Sequence, residues 1–355
     1  MQKSLLKPNR NLSMECYKFF ASFLVVLDHV RFPGIPGDLF SCLAQGTIYV
    51  FFAITGYFNW GASCKVITKR IKHILKVYIT AVALYVFWCC VKTELFGGSS
   101  VAVMIQMIPD PDEAMRWLIL QADPFIGSYW YFNSILVCYV IFWLYTKFFD
   151  GEKVDYKPWY IAAFCLFVIN FLKGQIEPVA QSNVVSAYHM LRNAWFMGIP
   201  MFAFGMFVRE YQERLVKNFG QPAGKLVAVL AGGLMLAFAQ LYILGSFGVS
   251  FGLLIAIFAL VILMAAYPRV PMRTKAAQWL IPRFGFYSTV IYITHAIYIE
   301  MYELLLQTPM VERWGAAESY LHSLTVLALS ILSAVLAERG LACWGAICRG
   351  GKKTT

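Results

Sequence analysis

Along this chain apolar residues gather into runs long enough to cross a bilayer, with mostly short polar connections between them. A spanning helix needs about 20 predominantly apolar residues. Ten stretches fit that pattern, near 13–32, 42–60, 72–91, 128–147, 158–172, 190–208, 224–244, 248–267, 286–305 and 319–338. They predict an all-α, polytopic membrane helix bundle of about ten transmembrane helices, because helices satisfy their own backbone groups in lipid. Ten crossings put both termini on one side, and the basic residues indicate which. With the termini in the cytoplasm, inner tails and loops hold 22 of the 30 Lys and Arg, and outer loops hold 5 (Arg31, Lys92, Arg116, Lys173, Arg313). Lys18, Lys76 and Arg192 lie within helices. Such a split predicts cytoplasmic termini.

Composition agrees: 60% of the residues are hydrophobic and 14% charged, against about 25% charged for a soluble domain. The net charge of +11 is thereby assigned to inner loops and not to a nucleic-acid surface. The first apolar stretch lacks a small-x-small exit before Pro33 and Gly34, so it reads as a retained helix and not a cleaved signal. No repeat or soluble module interrupts residues 1–355, which read as a single transmembrane domain. The one long outer loop, 92–127, is either an ordinary surface loop or one whose stretch AMRWLILQ lies along the interface as a short amphipathic helix. Nine cysteines form no C-x-x-C pair, so they read as small apolar fillers and no metal site is expected. Phosphate-loop, dinucleotide, zinc-helix and Gly-x-Ser-x-Gly motifs are absent from the sequence.

Ionisable residues inside a bilayer cost roughly 2.5–3.5 kcal/mol each on insertion scales, so each is a candidate for function. In YKFFASFLVVLDH the eleven steps from Lys18 to His29 amount to three turns plus about 20°, which puts both on one helix face about 16 Å apart. Glu15 shares that stripe. The stripe therefore offers a cation toward the inner side and a proton acceptor toward the outer side. Lys18 can equally snorkel to inner headgroups, and His29 can be an interfacial histidine satisfied by water. KRIKHILKVY sets Arg70, Lys72, His73 and Lys76 at the start of the third helix, either as a positive-inside flank or as a cluster for the phosphates of an acyl donor. His189 and Arg192 share a face; Arg192 with Asn193 suits a hydroxylated or carboxylated acceptor, or Arg192 pairs with a loop carboxylate such as Glu177. Pro200 should kink its helix and free a carbonyl. His295, near the middle of the ninth helix, must find a hydrogen bond, for example to a carbonyl of a neighbouring helix. Trp130 belongs to an aromatic belt or stacks on a sugar ring.

Taken in order, YKFFASFLVVLDH, YVFFAITGYF, KRIKHILKVY, YWYFNSIL, RNAWFMGIPMFAFGMFV and IYITHAIYI resemble the acyltransferase 3 family of integral membrane acyltransferases. The resemblance implies that His29 is the catalytic histidine of the family's first helix, with Lys18 standing where the family usually has arginine. It places the family's third-helix basic residue on Arg70, its tryptophan on Trp130, its Arg-Asn pair on Arg192 and Asn193, and its late histidine on His295, followed here by Ala296 where proline is usual. It further implies an acyl-CoA donor, acetyl-CoA in the simplest case, with no tightly bound cofactor. The acceptor implied is a hydroxyl of a cell-surface glycan or small glycoside, and the location a bacterial plasma membrane. KVYITAVALYVF, YWYFNSIL and RNAWFMGIPMFAFGMFV are also similar to the membrane half of membrane-bound serine racemases of vancomycin resistance. That likeness implies instead a transporter or binding module for a serine-like amino acid. The chain ends at Thr355 without a racemase domain, which favours the acyltransferase.

Overall fold

The computed structural model describes residues 11–121, 123–149, 154–176, 193–219, 223–244, 250–306 and 318–350. No strand occurs among them, and the protein is all-α. It divides into two compact units, residues 1–47 with 267–355, and residues 48–266.

The first unit begins with α1 (Leu12–His29), where Asn11 is the N-cap and its side chain accepts from the Met14 N–H at 3.1 Å. A polar cap before an apolar run satisfies one of the four orphan amides of a helix start. The chain then turns through Pro33 and Gly34, the latter at φ +67°, a left-handed conformation glycine adopts without strain, and opens α2 (Gly34–Asn59). After a stretch of 48–266, the unit resumes with α12 (Lys275–Leu280), a 3₁₀ turn, α13 (Phe284–Leu306) and α14 (Glu318–Gly350). Helix α13 packs along α1 and α14. Val26, Ile291 and Val326, one from each helix and all fully buried, form the centre of that packing. Phe19 stacks on Phe284 with centroids 4.1 Å apart, and Ser323 Oγ donates to the Val30 carbonyl at 2.8 Å. That bond satisfies a carbonyl at the end of α1 which no further helical turn would meet.

The second unit holds the rest of α2, then α3 (Cys64–Leu95), α4 (Ser100–Gln106), α5 (Pro111–Leu120), α6 (Trp130–Phe148) and α7 (Lys157–Ile176). There follow a π-helical turn (Ala194–Gly198), α8 (Ile199–Glu210), α9 (Gln212–Phe219), α10 (Ala223–Leu244) and α11 (Phe251–Ala266). Small residues set the close helix crossings, as expected where lipid supplies no hydrophobic drive between helices. A Cβ added at Gly56 of α2 would lie 1.8 Å from the Phe202 carbonyl oxygen of α8, and one at Gly205 of α8 would lie 1.8 Å from the Ala53 oxygen. Gly233 and Gly252 bring α10 and α11 into comparable contact.

Pro200 has the expected effect by a route the sequence does not display. A proline cannot bond the carbonyl four residues back, which here is Phe196. The Asn170 side chain of α7 donates to that oxygen at 2.7 Å, and the wide π turn ends just before the proline. The segment 92–127 contains α4 and α5. Helix α5 starts with a capping box between Asp110 and Glu113 and exposes Met115, Leu118 and Ile119. It stops at Gln121, whose φ of 56° is unusual for a residue with a side chain. Its amide donates to the Ile119 carbonyl at 2.8 Å and its oxygen accepts from the Ala194 N–H at 2.9 Å, so one buried side chain closes α5 and opens the π turn.

Among the described residues, six helical stretches have the length and composition of a membrane crossing: 34–59, 64–95, 127–148, 223–243, 275–306 and 318–341. The other four stretches expected from the sequence fall on α1, α7, α8 and α11. Three charged residues, Glu15, Lys18 and Asp28, interrupt α1. The apolar parts of α7 and α11 are short, at 157–172 and 251–266. The run 190–208 is divided by the π turn, and its first residues lie outside the described ones. Helix α3, with 32 residues, is about 48 Å long against a hydrocarbon core of about 30 Å, so its ends must leave the core.

Candidate active site

In the first unit, α1 carries its charged residues as two local pairs. Lys18 Nζ lies 2.8 Å from Glu15 Oε1, with the Glu15 side chain only 11% exposed. Near the other end Asp28 Oδ1 accepts from Ser41 Oγ of α2 at 3.0 Å and faces Arg31 at 3.7 Å. Asp28 is thereby committed to holding the two helices together. What stands beside His29 comes from α13: the His29 and His295 rings are 5.3 Å apart, centroid to centroid, and tilted by 34°. His29 is exposed, whereas His295 is fully buried.

His295 bonds through Nδ1 to the Tyr292 carbonyl at 2.7 Å, three residues back on its own helix and not on a neighbour as the sequence suggested. A carbonyl can only accept, so Nδ1 carries the proton and Nε2 presents a lone pair. That Nε2 is buried with no hydrogen-bond partner among the described residues. A buried acceptor left unpaired costs free energy, about 1–3 kcal/mol, and is uncommon unless something else occupies it. The arrangement can therefore hold a hydrogen-bond donor beside His29.

In the second unit Arg70 docks on the end of α2. Its Nη1 donates to the Phe58 carbonyl at 2.9 Å and to Asn59 Oδ1 at 2.6 Å. Asn59, almost completely buried, donates to the Thr55 carbonyl at 2.7 Å and meets the Tyr139 hydroxyl at 3.4 Å. A guanidinium at a helix C-terminus meets both orphan carbonyls and the negative dipole end. Lys72, His73 and Lys76 are exposed along α3. Trp130 is partly buried at the start of α6, next to the fully buried Tyr129. Behind it, Asp123 Oδ2 accepts from Tyr78 at 2.7 Å and Asn133 at 2.8 Å, while Oδ1 accepts the amides of Phe125 and Ile126. Asn193 is the buried cap of the π turn, accepting from the Phe196 N–H at 3.0 Å. His189 and Arg192 lie outside the described residues.

The structure thus brings together Glu15 with Lys18, and His29 with His295, and it gives Arg70 partners of its own. Sequence reasoning passed over Asn59, Asp123 and Glu210. For Asn59 a signal existed, since one amide among the apolar neighbours of FFAITGYFNW must find partners. No group of three or more His, Cys, Asp or Glu suited to a metal occurs among the described residues.

Apolar helices of spanning length and a histidine pair within the helix bundle define a multi-pass, all-α membrane protein with a candidate acid–base centre. The chain belongs to the acyltransferase 3 family, whose model, described as an acyltransferase domain, matches residues 11–339. No curated protein and no solved structure matches the chain. Family membership makes it a membrane acyltransferase.

Proposed function

We propose that the protein is a membrane O-acyltransferase of the bacterial plasma membrane, with both termini in the cytoplasm. It moves an acyl group, acetyl in the simplest case, from cytoplasmic acyl-CoA to a hydroxyl of a cell-surface glycan or small glycoside. His29 is the general base: its neutral imidazole takes the hydroxyl proton as the oxygen attacks the thioester carbonyl, and the CoA thiolate leaves and is protonated. The observation that carries this assignment is the placement of exposed His29 5.3 Å from buried His295. A His29 N–H directed at the His295 Nε2 lone pair would fix the His29 tautomer so that its other nitrogen faces the hydroxyl as the base. His295 then acts as a positioning residue, since it fixes the tautomer of the group that meets the substrate.

The test is acyl-CoA-dependent transfer by purified protein. His29→Ala is expected to lose about 10²- to 10⁴-fold in turnover while acetyl-CoA still raises its melting temperature, as a ligand of the folded state must. Near-normal turnover refutes the assignment of His29, and absence of any thermal shift in the wild type at saturating acetyl-CoA refutes the donor.

A further inference from the structure

A cavity of about 930 Å³ with a mixed polar and apolar lining lies in the second unit, within the 300–1,000 Å³ typical of small-molecule sites. None of the residues expected from the sequence to bind a donor lines it. Its wall comes from the turn between α2 and α3, the end of α6, residues 154–157 and the last residue of α8. The mixture of side chains is specific. Trp60 is 38% exposed, and its Nε1–H donates to Glu210 Oε2 at 3.2 Å. The same oxygen accepts from Tyr160 at 2.6 Å. The indole is thus held by its edge. Gly61, at φ +68°, turns its N–H onto the Tyr156 hydroxyl oxygen at 3.3 Å, which leaves the phenol proton to donate. Burial raises the Tyr156 pKa, so the phenol stays a donor. Lys65 and Lys157 add two exposed ammonium groups, each within the first turn of a helix, where the dipole also favours anions. Asp155 Oδ1 accepts from the Lys157 N–H at 3.0 Å, leaving its second oxygen open.

A tethered aromatic plane, two cations and carboxylate acceptors within one cavity match the parts of an adenine nucleotide: a base to stack, phosphates, and ribose hydroxyl and amino donors. We propose that this cavity holds the adenosine-phosphate end of the acyl-CoA donor, with adenine against Trp60 and the phosphates at Lys65 and Lys157. The inference rests on acyl-CoA being the donor. It separates nucleotide recognition from Arg70, whose Nη1 is engaged with the end of α2.

The test uses the full chain in detergent with three probes: acetyl-CoA, adenosine 3′,5′-bisphosphate and S-acetylpantetheine. In the wild type the bisphosphate should compete with acetyl-CoA. The Lys65→Ala/Lys157→Ala double variant, which alters exposed residues, should weaken acetyl-CoA and bisphosphate binding about tenfold or more and flatten its salt dependence. It should leave S-acetylpantetheine unchanged. Trp60→Ala should lose about tenfold for both nucleotides and Trp60→Phe should keep most of the affinity. If these variants bind acetyl-CoA as tightly as the wild type, the cavity is not the nucleotide site, although acyl-CoA remains the donor. If the wild type binds no acetyl-CoA at all, the proposed function falls and the assignment of this cavity falls with it.

Discussion

The crossing of α2 and α8 controls how the cavity wall is built, and Gly205→Ala perturbs it with a single methyl group. An added Cβ would lie 1.8 Å from the Ala53 carbonyl oxygen and 2.8 Å from the Tyr57 nitrogen. Both are backbone atoms, so no side chain can swing away. Close C···O contacts between helices stop near about 3.3 Å, so the helices must separate locally by roughly 1.5 Å. Five residues on, Glu210 receives Trp60 Nε1 at 3.2 Å, and Gln212 receives the Tyr57 hydroxyl at 2.8 Å. Neither bond survives a displacement of that size. Overpacking costs about 1–3 kcal/mol, and at about 2–4 °C per kcal/mol the melting temperature should fall by about 2–12 °C. Intrinsic fluorescence during heating, with and without acetyl-CoA, reads both the loss of stability and the expected loss of ligand-induced shift. Gly224→Ala, where nothing lies within 4 Å of the added Cβ, should change stability by under about 0.5 kcal/mol. If Gly205→Ala melts with the wild type and keeps its acetyl-CoA shift, contact between these two backbones does not shape the cavity.

Three further outcomes follow from the pairings. Arg70→Ala strips Asn59 and the Phe58 carbonyl of a donor, so the unliganded protein should lose about 1–3 kcal/mol in a denaturation series, and Arg70→Lys should recover part of it; an unchanged midpoint contradicts the capping role. His295→Gln should lower kcat for acyl transfer at least about tenfold with the donor KM unchanged, whereas equal kcat in variant and wild type removes His295 from the mechanism. Lys18→Met removes the ion pair to the nearly buried Glu15 carboxylate and should destabilise, while the Glu15→Gln/Lys18→Met double variant should recover stability. Acetyl-CoA affinity measured in that double variant then reports on Lys18 as a donor ligand without interference from misfolding, and wild-type affinity there would release Lys18 from that role.

Apolar run length made the all-α membrane class legible from the sequence, because only a helix satisfies its own backbone in lipid. The same property made the crossings harder to count. Helix α1 carries three charges held in local pairs, and the run around Pro200 contains a π turn whose partners are distant in the chain. The freed carbonyl at Phe196 was foreseeable from proline chemistry, but Asn170 as its donor was not. Likewise Gln121 reads as an ordinary loop residue until it is seen to bond the end of one helix and the start of another.

Helical periodicity placed Lys18 and His29 on one face of α1, and it was natural to treat them as a pair. Periodicity reports neighbours on the same element only. In the folded chain Lys18 is satisfied three residues away by Glu15, while the group beside His29 arrives from 266 positions further along the sequence. The two residues therefore answer to different constraints. Lys18 meets a single neighbouring carboxylate on its own helix at 2.8 Å, a contact that does not require the bidentate fork of an arginine. For His29 the constraint is the opposite: Nε2 of His295 is committed to no other described group, so under the proposed mechanism the distance between α1 and α13 at this level decides which tautomer of His29 is held. Val26 and Ile291, each about one turn N-terminal to its histidine, are buried completely where the two helices meet, and this apolar contact sets the spacing of the histidine pair on which the proposed mechanism depends.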